Sequence, residues 1–240
     1  MTLPPRPDLG PHAIALWPGV GWTFTETIVV FLAVFGLGHY VLLTVYGILR
    51  LQGSWAATIA DVLTEAAAPV VVLVWLRVAD KPKSTWFGRA GRRAADIGIG
   101  IAVGFGIFVA ARICLSISYA IARAFGVLYP AIPRPNLELR GGWLIAYGFL
   151  LIVVAPFCEE ILFRGFLFRG FRSRWAWWPA ALLSALLFAV VHASPYRLLD
   201  TLAGGLILAG IYEGRKSLLA SMAAHSTLNT IVFVLILRSL

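Results

Sequence analysis

An all-α bundle of about seven membrane-crossing helices is what this sequence predicts, and three observations carry the prediction. Of its 240 residues, 60% are hydrophobic and only 13% are charged, whereas a soluble domain of this size carries about 25% charged residues. The apolar residues fall into several separate long runs, as helices embedded in lipid require. Pro-rich or charged breaks divide those runs, and no internal repeat or second soluble domain interrupts them.

Taken in order, the elements justify themselves. Residues 1–23 form an N-terminal segment that is Pro-rich, with Arg6 the only base up to Trp22. It does not match a cleavable leader, and the first apolar run is too long for a signal core. The first helix is expected at 24–49 and the second at 56–78, closed by Asp80-Lys-Pro-Lys83. The third is expected at 96–124, carrying Gly100 and Gly104 at a spacing that lets neighbouring helices approach closely. A Pro-rich stretch from Tyr129 to Pro135 follows it. The fourth spans 142–170. The fifth spans 177–193 and stops at Ser194-Pro195, the sixth spans 197–213, and the seventh 217–238. Helices five and six are short for full spans, which need about 17 residues or more. The organisation expected is therefore a segment 1–23, N-terminal membrane helices over 24–141, and a functional core over 142–240.

The net charge of +9 reports orientation in such a chain. Placing the second-to-third connection inside puts thirteen bases there against six outside, so the positive-inside rule predicts a cytoplasmic N-terminus. No basic-aromatic nucleic-acid motif is present, so that class is set aside. Cys114 and Cys158 lie in apolar runs and give neither a disulfide framework nor metal spacing. High Ala, Gly, Arg and Trp usage points to a GC-rich bacterium, and hence to its inner membrane.

Chemistry concentrates where charge breaks into apolar sequence. No charged residue occurs from Leu144 to Cys158, then Glu159 and Glu160 appear together, with Arg164 four positions on. His192 and His225 are likewise embedded in apolar runs. Ionisable groups at membrane depth are costly and therefore usually functional. Helices four and five should form a hairpin with its turn in Arg172–Trp178. Glu159 and His192 are equidistant from that apex, each about 16 residues or ~20 Å away, so they are expected to meet. His225 and Asn229 are i, i+4 on helix seven, and Ser217 and Ser221 extend that stripe into a polar ridge facing the interior. Glu160 and Arg164 are also i, i+4, in the favourable order for an ion pair. Glu159 points about 100° away from Glu160 and stays free. A glutamate with a histidine can hold and deprotonate water; His225 and Asn229 can donate to a developing oxyanion. The inventory fits amide hydrolysis by activated water.

These residues resemble the CAAX-protease and bacteriocin-processing (Abi) family of intramembrane glutamate proteases. Its marks are Glu-Glu-x-x-x-Arg, Phe-x-x-x-His and His-x-x-x-Asn on successive helices. They stand here as Glu159-Glu160-Ile-Leu-Phe-Arg164, Phe188-Ala-Val-Val-His192 and His225-Ser-Thr-Leu-Asn229, within residues 142–236. The resemblance implies that Glu159 and His192 activate water, that His225 and Asn229 stabilise the oxyanion, and that Glu160 and Arg164 shape the site. It implies no cofactor, and a membrane-anchored peptide or protein as substrate: a prenylated C-terminus, a leader peptide or a C-terminal sorting tail.

Competing readings stand beside this one. Glu160–Arg164 can be a structural pair only. Glu159, His192 and His225 can be zinc ligands, although no His-Glu-x-x-His is present. A transporter or a non-catalytic scaffold can also use buried acids and histidines. Asp61 and Glu65 are read as structural or interfacial, Glu26, His39, Arg112 and Asp200 as helix-end or packing residues, and the Arg169–Arg174 run as a topology signal that can also attract anionic lipid. Cys158 adjoins Glu159 but has no base of its own.

Overall fold

A computed structural model of the chain describes residues 20–37, 67–81, 87, 90–127, 142–192 and 194–238. Among the described residues there are seven helices and no strands. The expected stretches 38–49 and 56–66, with His39, Asp61 and Glu65, lie outside them, as does most of the segment 1–23.

Helix α1 (Phe24–Leu32) starts on a capping box. Thr23 accepts from the Glu26 N–H, and the Glu26 carboxylate accepts from the Thr23 N–H, satisfying two donors that a helix start leaves open. Glu26 also pairs with Lys81 at 3.2 Å, fastening the start of α1 to the end of α2 (Ala67–Val78). Glu26 is thus the helix-end residue expected. In α2, Val72 and Leu76 are fully buried, and Trp75 meets Phe166 edge-on.

Helix α3 (Arg93–Ala124) runs for 32 residues, ~48 Å at 1.5 Å per residue. Only Asp96, Gly100, Gly104 and Ile107 along it are buried, and they form a single stripe. The glycines explain the close approach. A methyl at Gly100 would strike the Ala220 carbonyl, and one at Gly104 the Ala224 carbonyl and Thr227. The close-packing expectation therefore holds, with α7 (Leu218–Arg238) as the neighbour. The large apolar residues Ile101, Phe105 and Val109 face outward. Arg112 lies within the helix, in the body of α3, and its side chain is exposed there rather than packed.

Helix α4 (residues 142–172) is not a plain α-helix. Two π-helical segments, Leu150–Val154 and Ile161–Phe168, bracket the α-turn Ala155–Glu160. A tight turn over 173–176 leads to α5 (Trp177–Val191), inside the range expected for the hairpin apex. A short 3₁₀ turn, Pro195–Arg197, leads into α6 (Leu198–Arg215). Asp200 in its first turn pairs with Arg197 at 3.0 Å, again a helix-end residue. Lys216 closes α6 in the left-handed conformation, φ 53°, and α7 returns alongside α3.

Three helices, Arg93–Ala124, Leu144–Arg172 and Leu218–Arg238, are long and apolar enough to cross a membrane. The described parts of α1 and α2 are shorter. At 15 residues, α5 measures ~22 Å and falls short of a ~30 Å hydrocarbon core, as anticipated.

The core is aromatic and gathers around the second π segment: Phe163, Phe166, Phe168 and Phe171 are buried with Trp22, Phe31 and Tyr212. Ion pairs tie one end of the bundle together, with Arg215 to Asp96 at 2.6 Å and Arg172 to Glu213 at 3.1 Å. This corrects the view of the Arg169–Arg174 run as a topology signal alone. Arg169 and Arg172 are buried, and the Arg172 guanidinium also donates to the Trp175 carbonyl. Arg174 in that run is not buried.

Candidate active site

The site is built on α4, α5, α6 and α7. Glu159 and Glu160 close the short α-turn between the two π segments, so consecutive carboxylates leave the helix in different directions. Glu160 and Arg164 are both 0% exposed and pair at 2.7 Å. A second Arg164 nitrogen donates to the Gly205 carbonyl at 3.2 Å. Gly205 is a position where α6 lies close to α5: a methyl there would strike Ala185. The guanidinium also sits over the Phe188 ring, 4.6 Å from its centroid, within cation–π range.

From α7, His225 reaches both glutamates. Its Nδ1 stands 3.0 Å from Glu160 Oε1, and its Nε2 3.8 Å from Glu159 Oε2. Glu160 Oε1 therefore takes a guanidinium N–H and an imidazole N–H together, and the acid is locked by two cationic or donor groups. Glu159 is held differently. Its side chain keeps 15% exposure, and its Oε2 has no hydrogen-bond partner in the protein. Glu160 Oε2 has no hydrogen-bond partner in the protein either, so what separates the two neighbouring carboxylates is the Arg164 ion pair and full burial of Glu160 against the partial exposure of Glu159 beside an imidazole.

The expected Glu159–His192 contact is not formed. His192 is the C-cap of α5 and is exposed; its Nδ1 donates to the Phe188 carbonyl at 2.7 Å. Counting from the hairpin apex assumed α-helical rise on both arms, and the π segment Ile161–Phe168 breaks that assumption on α4. The ring joining the two histidines is Phe188. Its centroid lies 4.5 Å from the His192 ring and 6.0 Å from the His225 ring. With Nδ1–H of His192 given to a carbonyl, the neutral ring presents Nε2 as an unprotonated acceptor, the tautomer following from that hydrogen bond.

The polar ridge on α7 faces inward as expected. Ser217, Ser221 and His225 are buried, and Asn229 donates from Nδ2 to the Leu151 carbonyl at 2.8 Å. An amide nitrogen carries two hydrogens, so one Asn229 N–H is engaged with α4 and one is left. Among the described residues, no three His, Cys, Asp or Glu side chains group closely enough to hold a metal ion.

Sequence reasoning missed several contributors. The Gly205 and Leu151 carbonyls are backbone groups with no residue-type signal. Ser184 on α5 donates to the Phe163 carbonyl at 3.0 Å, an inward hydroxyl inside an apolar run. Pro156, three residues before Glu159, was visible as a helix-breaking residue in the uncharged stretch 144–158.

A family model described as "Type II CAAX prenyl endopeptidase Rce1-like" matches residues 141–231. The chain is 31% identical over 194 residues to the "Putative membrane peptidase YdiL" of Bacillus subtilis, covering 78% of this chain and 73% of that one. It is 47% identical over 55 residues to an "Uncharacterized 24.3 kDa protein" of Escherichia coli, covering 22% of this chain and 25% of that one. No solved structure matches it.

Proposed function

The chain belongs to the Rce1-like family of CAAX-type membrane endopeptidases, and from that premise we propose that it hydrolyses a peptide bond of a membrane-anchored peptide or protein with water activated by Glu159. The observation carrying the proposal is the division of labour between adjacent carboxylates. Glu160 is fully buried and held through Oε1 by Arg164 and His225, while Glu159 makes no ion pair with arginine, keeps 15% exposure and stands 3.8 Å from His225 Nε2.

In this mechanism Glu159 takes a proton from water as the oxygen attacks the scissile carbonyl. His192, with Nε2 unprotonated, serves as a second base, and substrate entry brings the two groups to one water. The tetrahedral oxyanion is met by the second N–H of Asn229 and by Nε2–H of His225 in its imidazolium form, the Nδ1–H of that ring being given to Glu160; donors fixed before reaction stabilise developing charge without reorganising. Glu159 then returns the proton to the leaving amine, and no acyl-enzyme forms. Glu160, Arg164 and Phe188 hold His225 in place. No metal enters this scheme: of the three side chains that zinc would need, Glu159 and His225 approach each other, and His192 gives its side-chain hydrogen bond to the Phe188 carbonyl.

The N-terminal segment is cytoplasmic in this proposal. The core spans 142–240, with the helices of 24–141 around it, in a bacterial inner membrane. A prenylated C-terminus, a leader peptide and a sorting tail all remain admissible substrates.

The test is reconstitution of the purified protein in lipid with membrane-anchored peptides of each class, cleavage being read by mass spectrometry. Hydrolysis by the wild type and none by Glu159→Gln is the expected result. Peptide binding without cleavage by the wild type would move the reading to a non-catalytic scaffold.

A further inference from the structure

The π segment before the glutamates has an identifiable cause. In an α-helix, the Leu151 carbonyl would accept from the Ala155 N–H. Here that N–H goes to Leu150 instead, one residue further back. In π register, Leu151 would accept from residue 156, but Pro156 has no N–H. Neither ordinary donor is available, and a carbonyl at this depth needs one. Asn229 supplies it across the helix interface at 2.8 Å. The proline ring also crowds the carbonyl of residue i−4, here Ile152, and so favours the wider register. The bond joins α7 to α4 two turns before Glu159, and His225, one turn from Asn229, is the residue facing both glutamates.

We propose that Pro156 is a positioning residue, acting through the Leu151 carbonyl and Asn229 to hold α4 in the π register that aims Glu159 at the catalytic space. Replacing it with alanine restores an N–H at 156 and lets the turn relax to α-helical register. That change rotates Glu159 and Glu160 by about 100° relative to the preceding turn. Asn229 then loses its carbonyl partner to the backbone. The helix gains a hydrogen bond and loses a helix breaker, which offsets the contacts that Glu160 and Arg164 give up to His225 and Gly205, so the fold is kept while chemistry is lost. A residue that merely supports the fold would behave in the opposite way.

The inference rests on the peptidase reading for its catalytic consequence but not for its structural one, so the experiment has two arms. The chain contains two asparagines, Asn136 and Asn229. Selective ¹⁵N-asparagine labelling of the full chain in detergent therefore reports each side-chain amide separately. In the wild type, one Asn229 side-chain proton is expected to be protected from solvent exchange. In Pro156→Ala that protection should vanish, with the Asn136 signal unmoved. In the second arm, Pro156→Ala should lose ~10²-fold in kcat, the scale of a small misplacement of a reacting group. KM and Tm should stay near the wild-type values. An Asn229 signal unchanged in Pro156→Ala overturns the inference whether or not any peptide is cleaved. So does a kcat within twofold of wild type, or a kcat loss that tracks a fall in Tm. If the wild type cleaves nothing, the peptidase reading fails by itself, and the amide signals still decide the register.

Discussion

Helix α7 has two faces, and the contrast between them explains how the bundle works. One face, through Ala220, Ala224 and Thr227, lies against Gly100 and Gly104 of α3. It is built of small groups in regular α-helix and is specified by steric fit. The other face, through Ser221, His225 and Asn229, meets α4 where α4 is interrupted by π segments. It is specified by polar bonds. Ala220 and Ala224 each precede their counterparts Ser221 and His225 by a single residue, about 100° around the helix. The difference teaches that rigidity and reactivity are assigned to different sides of one element. The dry seam fixes α7 so that the polar seam can hold carboxylates and imidazoles at fixed separations.

Changes on the polar seam test this contrast most severely. His192→Ala should reduce turnover by ~10²–10⁴-fold, the range for a general acid or base, with unchanged thermal unfolding, because the side chain is exposed and its one hydrogen bond is to its own helix. Asn229→Ala should cost ~10²–10³-fold in kcat, as for a lost oxyanion donor. Steady-state kinetics on a membrane-anchored peptide gives both numbers; an effect on KM alone would remove these residues from the reacting centre.

Arg164→Ala should act on the fold first. It strands the Glu160 carboxylate in a fully buried position, and breaking a buried pair costs ~3–5 kcal/mol. A large drop in Tm is expected, together with lost activity. Full thermal stability in that variant would assign Arg164 a direct role on substrate instead.

On the dry seam the expectations reverse. Gly104→Val forces methyl groups against the Ala224 carbonyl and Thr227 and should destabilise by ~1–3 kcal/mol, as overpacking does. Turnover per folded molecule should be nearly unaffected, which chemical unfolding and activity assays on the same preparation will separate. The smallest effect expected is that of a strong chelator, which should leave activity unchanged. A zinc enzyme would lose its hydroxide source and recover it on adding zinc.

How much of this was legible in the sequence depended on the kind of interaction. Apolar runs and their breaks marked the helices that the structure describes, because burial in lipid dictates composition along the whole run. Gly100 and Gly104 marked the dry seam, since only small residues allow that approach. The i, i+4 rule found Glu160–Arg164 and the inward ridge of α7. What failed was counting along α4. Equal distances from the hairpin apex placed Glu159 beside His192, but the π segments change the rise and rotation per residue, and His225 faces the glutamates instead. The buried state of Arg169 and Arg172 was also missed, because their acceptors and aromatic neighbours come from distant elements such as Glu213 and Trp22. The position of Arg112 on α3 has no structural explanation among the described residues.

The central claim is that Glu159 does chemistry while Glu160, its immediate neighbour, holds the architecture. Measuring turnover and thermal unfolding side by side for Glu159→Gln and Glu160→Gln tests it most directly. Glu159→Gln should unfold at the wild-type temperature and lose ~10²–10⁴-fold in turnover. Glu160→Gln should unfold at a clearly lower temperature, because it leaves Arg164 unpaired in the core. Near-normal turnover in Glu159→Gln, or wild-type stability in Glu160→Gln, would contradict the account.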